Sequence, residues 1–161
     1  MDDLELLLAE VGDRAVRLDG AAEWEDRRVD GALFDAVQLP LVAFAILAAL
    51  SLHARVRLRL SEVGLRVGLI LMDAFPQFGI VGRRLPWSLR VRATAADAIS
   101  FLEGAGLVEV EERAGSRALR LAGRGREFVR QTRGEESDAS EFFNLLRSSA
   151  TRTQNEELSL L

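Results

Sequence analysis

Cysteine is absent from the chain. No disulfide framework can form, and no thiolate is on hand to ligate zinc or attack a substrate. Histidine occurs once, as His53. Any Ser-His-Asp arrangement or histidine metal site would have to be built on that one residue. It stands at the end of an apolar segment, where a satisfied or exposed helix-end histidine is the simpler reading. Lysine is absent too, and all 21 basic residues are arginine. That bias, with the richness in Ala, Gly, Val and Leu, is what a GC-rich bacterial genome produces. Gly123-Arg-Gly-Arg-Glu lacks both the lysine and the spacing of a phosphate loop, and reads as a glycine-rich approach to a helix. Gly64-Leu-Arg-Val-Gly68 matches Gly-x-x-x-Gly, but outside a long apolar segment it signals only close helix packing. Long hydrophobic runs are missing as well. The longest, Leu39 to Leu52, is about 14 residues and contains Pro40, whereas about 20 span a bilayer. A buried core helix is expected there. The start, Met1-Asp-Asp-Leu-Glu, is acidic where a secretory signal needs basic residues, so the expected location is the cytoplasm.

What is present suffices for one domain with arms: 161 residues, 48% of them hydrophobic. The net charge of −4 conceals three blocks. Residues 1–31 carry ten acids and four arginines, residues 32–133 nine acids and fifteen arginines, and residues 134–161 six acids and two arginines. A basic middle between acidic ends fits a nucleic-acid partner for the core, arms folded back on it, or solvated tails.

Along the chain, residues 2–12 read as a short helix with an acidic start and a Gly12 stop. Residues 13–31, with Trp24, read as a linker or weak helix. Residues 32–53 hold the most apolar helix, and Pro40 marks either a kink or its true start. Arg55-Val-Arg-Leu-Arg-Leu60 alternates strictly, as a half-buried strand does. Ser61 then caps a helix to about Phe75, and residues 76–93 form a long connection. Thr94 caps the next helix, with Ala95, Ala98, Ile99, Leu102 and Ala105 at helical spacing and Gly104 and Gly106 as the stop. Leu107, Val108 and Val110, then Leu119 and Leu121, are strand-like around a turn at Ala114-Gly115-Ser116. A helix follows over Ala122–Arg133, another over 138–149, and a polar, frayed end over 150–161. The expected core is Leu41, Phe44, Leu47, Leu50, Leu69, Ile70, Ile99, Leu102, Leu107, Val110 and Phe128.

The run from Thr94 to Arg133 resembles the second half of a winged-helix domain. The likeness is strongest to the helix, Gly-Leu-Val, hairpin and Gly-Arg-x-Phe-Val run of MarR-like and PadR-like regulators. The resemblance implies a mainly α fold with a small β-wing: an acidic N-terminal helical arm at 1–31, a winged helix-turn-helix at 32–133, and an acidic C-terminal helix and tail at 134–161. The 76–93 connection departs from MarR-type regulators, whose helix-turn-helix uses a few residues there. The chain is also similar to the small middle component of bacterial three-component ABC ATPase defence systems. That likeness rests on the Leu-Pro-Leu helix at 39–41, the basic strand, the Leu85-Pro-Trp connection, and the Thr94–Leu107 helix before its wing. It implies an accessory subunit of an SMC-like or Rad50-like assembly.

The arginines fall into three sets. Arg55, Arg57 and Arg59 share a strand face, with Glu109 and Glu111 expected opposite as cross-strand partners. Arg83, Arg84, Arg90 and Arg92 surround Pro86 and Trp87, a grouping suited to phosphate contact or to anchoring a protein. Arg113, Arg117, Arg120, Arg124 and Arg126 line the wing and its exit, where phosphates are commonly touched. Candidate contact residues are therefore Arg83, Arg84, Trp87, Arg90, Arg92, Arg113, Arg117 and Arg124. Apolar stripes at Leu4, Leu7, Leu8 and Val11, and at Phe142, Leu145 and Leu146, are candidates for association, as short helices need a surface to cover them.

A helix over Thr94–Gly106 holds no arginine, lysine, asparagine or glutamine, the residue types that read purines in the major groove. The expectation is thus a non-enzymatic accessory subunit that binds protein partners, with DNA touched through phosphates, and no cofactor or metal. The alternative is a dimeric winged-helix transcription regulator. The purified protein is expected to show no turnover of its own. Hydrolysis of a nucleotide, ester or nucleic acid that survives repurification and is lost on one substitution would overturn this.

Overall fold

A helix that is apolar on every side organises the molecule. The computed structural model describes residues 39–76 and 85–159. Residues 1–38 lie outside the described residues, and with them the expected N-terminal arm and Leu4, Leu7, Leu8 and Val11; so do Arg83 and Arg84. In order come α1 (Leu39–Leu50), β1 (Leu58–Arg59), a 3₁₀ turn (Leu60–Glu62) and α2 (Val63–Ala74). After a second 3₁₀ turn (Leu85–Trp87) follow α3 (Leu89–Gly104), the hairpin β2 (Val108–Arg113) and β3 (Ser116–Leu121), α4 (Gly123–Gly134) and α5 (Asp138–Ser159). The fold is mostly helical with one small antiparallel sheet, ordered β1-β3-β2. No helix among the described residues is long and apolar enough to cross a membrane.

Every residue of α1 from Pro40 to Leu50 is buried. Pro40 marks the start rather than a kink: in the first turn its missing N–H would have had no helical partner. The far end is closed by Ser51, whose Oγ donates to the Ala48 carbonyl at 2.8 Å and accepts from Arg147 Nε at 3.1 Å. Arg147 also donates to the Ser51 carbonyl at 3.2 Å, so the first carbonyl beyond the helix is met from α5. Phe44 packs edge-on against Phe128 and Phe143, with ring centroids 6.3 and 5.6 Å away.

Before the hairpin, three boundaries differ from expectation. The basic strand is only two residues long, pairing Leu58 with Leu119 and Arg59 with Ala118. Its alternation is real, since Val56 is buried while Arg55 and Arg57 are exposed, but only this short stretch meets β3. Ser61 lies inside the 3₁₀ turn rather than capping α2, because that tighter turn itself leads into the helix. The third difference concerns α3, which begins five residues before Thr94, at Leu89. Its cap is Ser88, whose Oγ accepts from the Val91 N–H at 3.4 Å. Val91 extends the buried stripe of Ala95, Ala98 and Leu102 by one turn, and that burial sets the start.

The end of α3 is a Schellman motif. Gly106, at φ +74°, donates to Glu103 O, and Leu107 N donates to Leu102 O at 2.9 Å. The hairpin turn is Ala114-Gly115, both at positive φ (+50° and +76°), as a two-residue type I′ turn requires; Ser116 already belongs to β3. Beyond it, α4 crosses so close to the Leu107 carbonyl that a Cβ at Gly125 would collide with that oxygen.

The core does not end at Arg133. Helix α5 continues through Ser159 instead of fraying after Ser149, because Ala150 and Thr153 are buried along with Phe142, Phe143 and Leu146. It packs on α1 and α2, and Arg152 reaches Asp73 of α2 at 2.7 Å. The expected association stripe is thus divided: Phe142 and Leu146 are buried within this chain, and Leu145 is 39% exposed. Of the expected core, Leu41, Phe44, Leu47, Leu50, Ile70, Leu102, Leu107 and Phe128 are buried. Ile99 and Val110 pack against that cluster partly buried. Leu69 is only partly covered, since α2 turns Val67, Gly68, Ile70 and Leu71 inward. Leu102 has no exposed surface, and Leu102→Ala is expected to cost about 2–5 kcal/mol. Urea denaturation checks this, and a loss under about 1 kcal/mol would contradict the packing.

Candidate interaction surface

The surface is built outward from two glycines of α2. Gly68 has no room for a Cβ, which would strike the backbone of Pro86 and Leu85. Gly64 lies close to Arg92, whose side-chain Cγ would stand 2.7 Å and whose Cα 3.2 Å from an added Cβ. The Gly-x-x-x-Gly spacing therefore does seat α2 against the Leu85–Trp87 turn and the first turn of α3. Leu85 and Pro86 are buried in that seat. The residues beside them face water: Trp87 is 69% exposed and Leu89 is 79% exposed.

Arg90 and Arg92 follow on α3, both exposed. They belong to the helix and not to the connection before it, so the second helix of this pair does carry arginine. Its outer face runs through Leu89, Arg92, Ala93, Ala96, Ser100 and Glu103, small at its centre and charged at its edges. Between α3, the start of α2 and the hairpin lies a groove of about 340 Å³, with Arg92 and Arg117 on its walls together with Ser61, Ser100 and Glu103.

The hairpin sorts its charges by face. Glu109, Glu111 and Arg120 lie on the outer face. Arg120 stands 2.6 Å from Glu109 and 2.8 Å from Glu111, the latter without aligning its Nε–H for a hydrogen bond. Arg57 donates to Glu111 at 3.0 Å. The expected cross-strand pairing thus holds for Arg57, although β1 neighbours β3 and not β2. Arg59 pairs with Glu62 instead, at 3.7 Å. Arg120 and Arg57 are neutralised where they stand.

Arg92, Arg113, Arg117 and Arg124 form no ion pair among the described residues. They do not form one patch. Arg92 and Arg117 share the groove, Arg113 is at the hairpin turn, and the Arg124 stem lies beside Gly106 at the far end of α3. The sequence reading missed Leu89. Its signal was Ser88, a cap residue as good as Thr94, which makes Leu89 the first helical position and leaves Val91 and Ala95 to face inward.

Comparison with known protein families, with curated proteins and with solved structures finds no match for this chain.

Gly68→Ala is expected to push the Leu85–Trp87 turn off α2 and cost about 1–3 kcal/mol, as overpacking does. In a Trp24→Phe background, the emission of Trp87 and the denaturation midpoint report both effects. An unchanged midpoint would show that the turn is not seated on Gly68.

Proposed function

We propose that the chain is a winged-helix binding module, a non-enzymatic accessory subunit that grips a protein partner in a bacterial DNA-associated ATPase or defence complex. The order helix, strand, helix, helix, hairpin, helix supports this reading, as does the pairing of the short first strand with the hairpin. The observation that carries the binding role is the adjacent exposure of Trp87, on a turn held down by buried Leu85 and Pro86, and Leu89, the first residue of α3. Burying such side chains contributes about 1.5–3 kcal/mol each. A tryptophan on a rigid support with arginines beside it has the composition of an interface anchor. The partner class follows from the resemblance to accessory subunits of SMC-like and Rad50-like ATPases. DNA, where it is met, is touched through phosphates by the unpaired arginines.

The alternative, a dimeric transcription regulator, gains from one observation: α3 starts at Leu89, so Arg90 and Arg92 ride on its first turn. Arginine at the start of a groove-entering helix suits guanine contact.

Tagged protein recovered from its native cells tests the main reading. Wild type is expected to bring down an ATPase subunit, and Trp87→Ala/Leu89→Ala to lose it while its stability stays within about 0.5 kcal/mol, as for exposed positions. Equal recovery by the double variant would sink the anchor. Duplex titration separates the alternative: phosphate contact weakens steeply with salt for all sequences alike, whereas a regulator loses affinity on single base changes.

A further inference from the structure

A second cavity shares no residue with the Trp87 surface. It has a volume of about 590 Å³ and opens between the end of α1, the base of β3, α4 and α5. That volume is in the range of sites for small organic ligands, about 300–1,000 Å³. Its apolar lining comes from Leu50, Ala54, Val56, Leu121 and Val129. Its α4 wall also carries Arg126, Arg130 and Arg133, three residues spaced along one face of that helix, and His53 and Asn144 complete the polar lining. Among the described residues no carboxylate lines it.

The charge on that wall is not balanced. Arg130 is held by Glu127 at 2.6 and 2.7 Å, and this hydrogen bonding lowers the Glu127 carboxyl below its ordinary pKa. Arg126 donates only to a neutral acceptor, the Leu121 carbonyl at 3.1 Å. Arg133 forms no ion pair among the described residues. Behind the cavity, Arg147 donates to the hydroxyl and carbonyl of Ser51, again neutral groups. Burial, and then the charge of Arg133, lower the Arg147 pKa from its ordinary value, the sign of a guanidinium short of counter-charge.

We propose that this cavity binds a small organic anion, a carboxylate or phosphate monoester on an apolar body. Its anionic group would lie between Arg126 and Arg133, and its body against Leu50, Val56 and Val129. Planar guanidiniums grip such groups through paired N–H donors, and Asn144 offers an amide beside them. The apolar lining separates this site from a simple phosphate contact, which needs no hydrocarbon surface.

The test is amide and imidazole NMR of the full chain titrated with phenyl phosphate and with benzoate. Inorganic phosphate and sodium chloride at matched ionic strength run beside them. Saturable shifts are expected at the Asn144 side-chain amide, Gly134 and the His53 ring for at least one organic anion. Arg133→Gln is expected to weaken that binding about tenfold, the size of one lost charge-assisted hydrogen bond. Arg133 is exposed, so the variant keeps its fold, and its unperturbed spectrum checks this. Arg92→Gln is expected to leave the affinity unchanged. No saturable shift with either organic anion, shifts reproduced by sodium chloride, or full affinity in Arg133→Gln would overturn the site. Inorganic phosphate binding as tightly as phenyl phosphate would overturn the assignment to an organic anion.

Discussion

The requirement to cover α1 on all sides governs the rest of the fold. A helix of twelve residues is marginal alone in water, and this one has no polar face to leave exposed. Helices α2, α3, α4 and α5 and the strand β3 each touch it. That is why the C-terminal helix is part of the core and not an arm: without Phe143, Leu146 and Ala150, one side of α1 and the ring of Phe44 would meet water. The same demand accounts for the polar closure at Ser51. Just past the buried helix end, the Ser51 carbonyl and hydroxyl need partners, and Arg147 supplies them from α5.

Close backbone approaches then fix the relative placement of the elements. Gly125 lets α4 lie on the Leu107 carbonyl, which also accepts the Ala122 N–H at 2.9 Å. The Schellman turn at Gly106 brings Leu107 to that point. At the other end of α3, Gly68 and Gly64 receive Pro86 and Arg92. Helix α3 is held at both termini by contacts that tolerate no added Cβ, and the exposed Trp87 and Leu89 are carried on the rigid piece that results.

Charge is distributed by the same geometry. The outer face of the sheet neutralises itself through Arg57, Arg120, Glu109 and Glu111, in exposed or half-exposed pairs of the kind that add little stability. The uncompensated arginines lie elsewhere. Arg92 and Arg117 flank the groove between α3 and the hairpin, Arg126 and Arg133 line the cavity between α4 and α5, and Arg113 and Arg124 stand apart from both. The basic middle of the chain is therefore divided among separate regions, and only the sheet face balances its charge within the chain.

The sequence by itself determined the local elements wherever a single physical signal was dominant. These are the wholly apolar α1, the glycine stop after α3, the alternating hairpin strands and the Gly-x-x-x-Gly contact. It also carried the cross-strand pairing of Arg57, since opposite charges on strand faces find each other. Tertiary structure decided what depended on competing local options. Ser88 and Thr94 are both sound caps, and only the burial of Val91 chose between them, moving Arg90 and Arg92 onto the helix. The 150–159 segment is polar enough to fray alone, and only α1 and α2 give Ala150 and Thr153 something to bury against. In the sequence Arg126 belongs with the wing arginines, and nothing joins it to Arg133 as a face of its own. That face became a cavity wall because α5 and the end of α1 closed the space around it, a long-range contact that no local spacing in the sequence encodes.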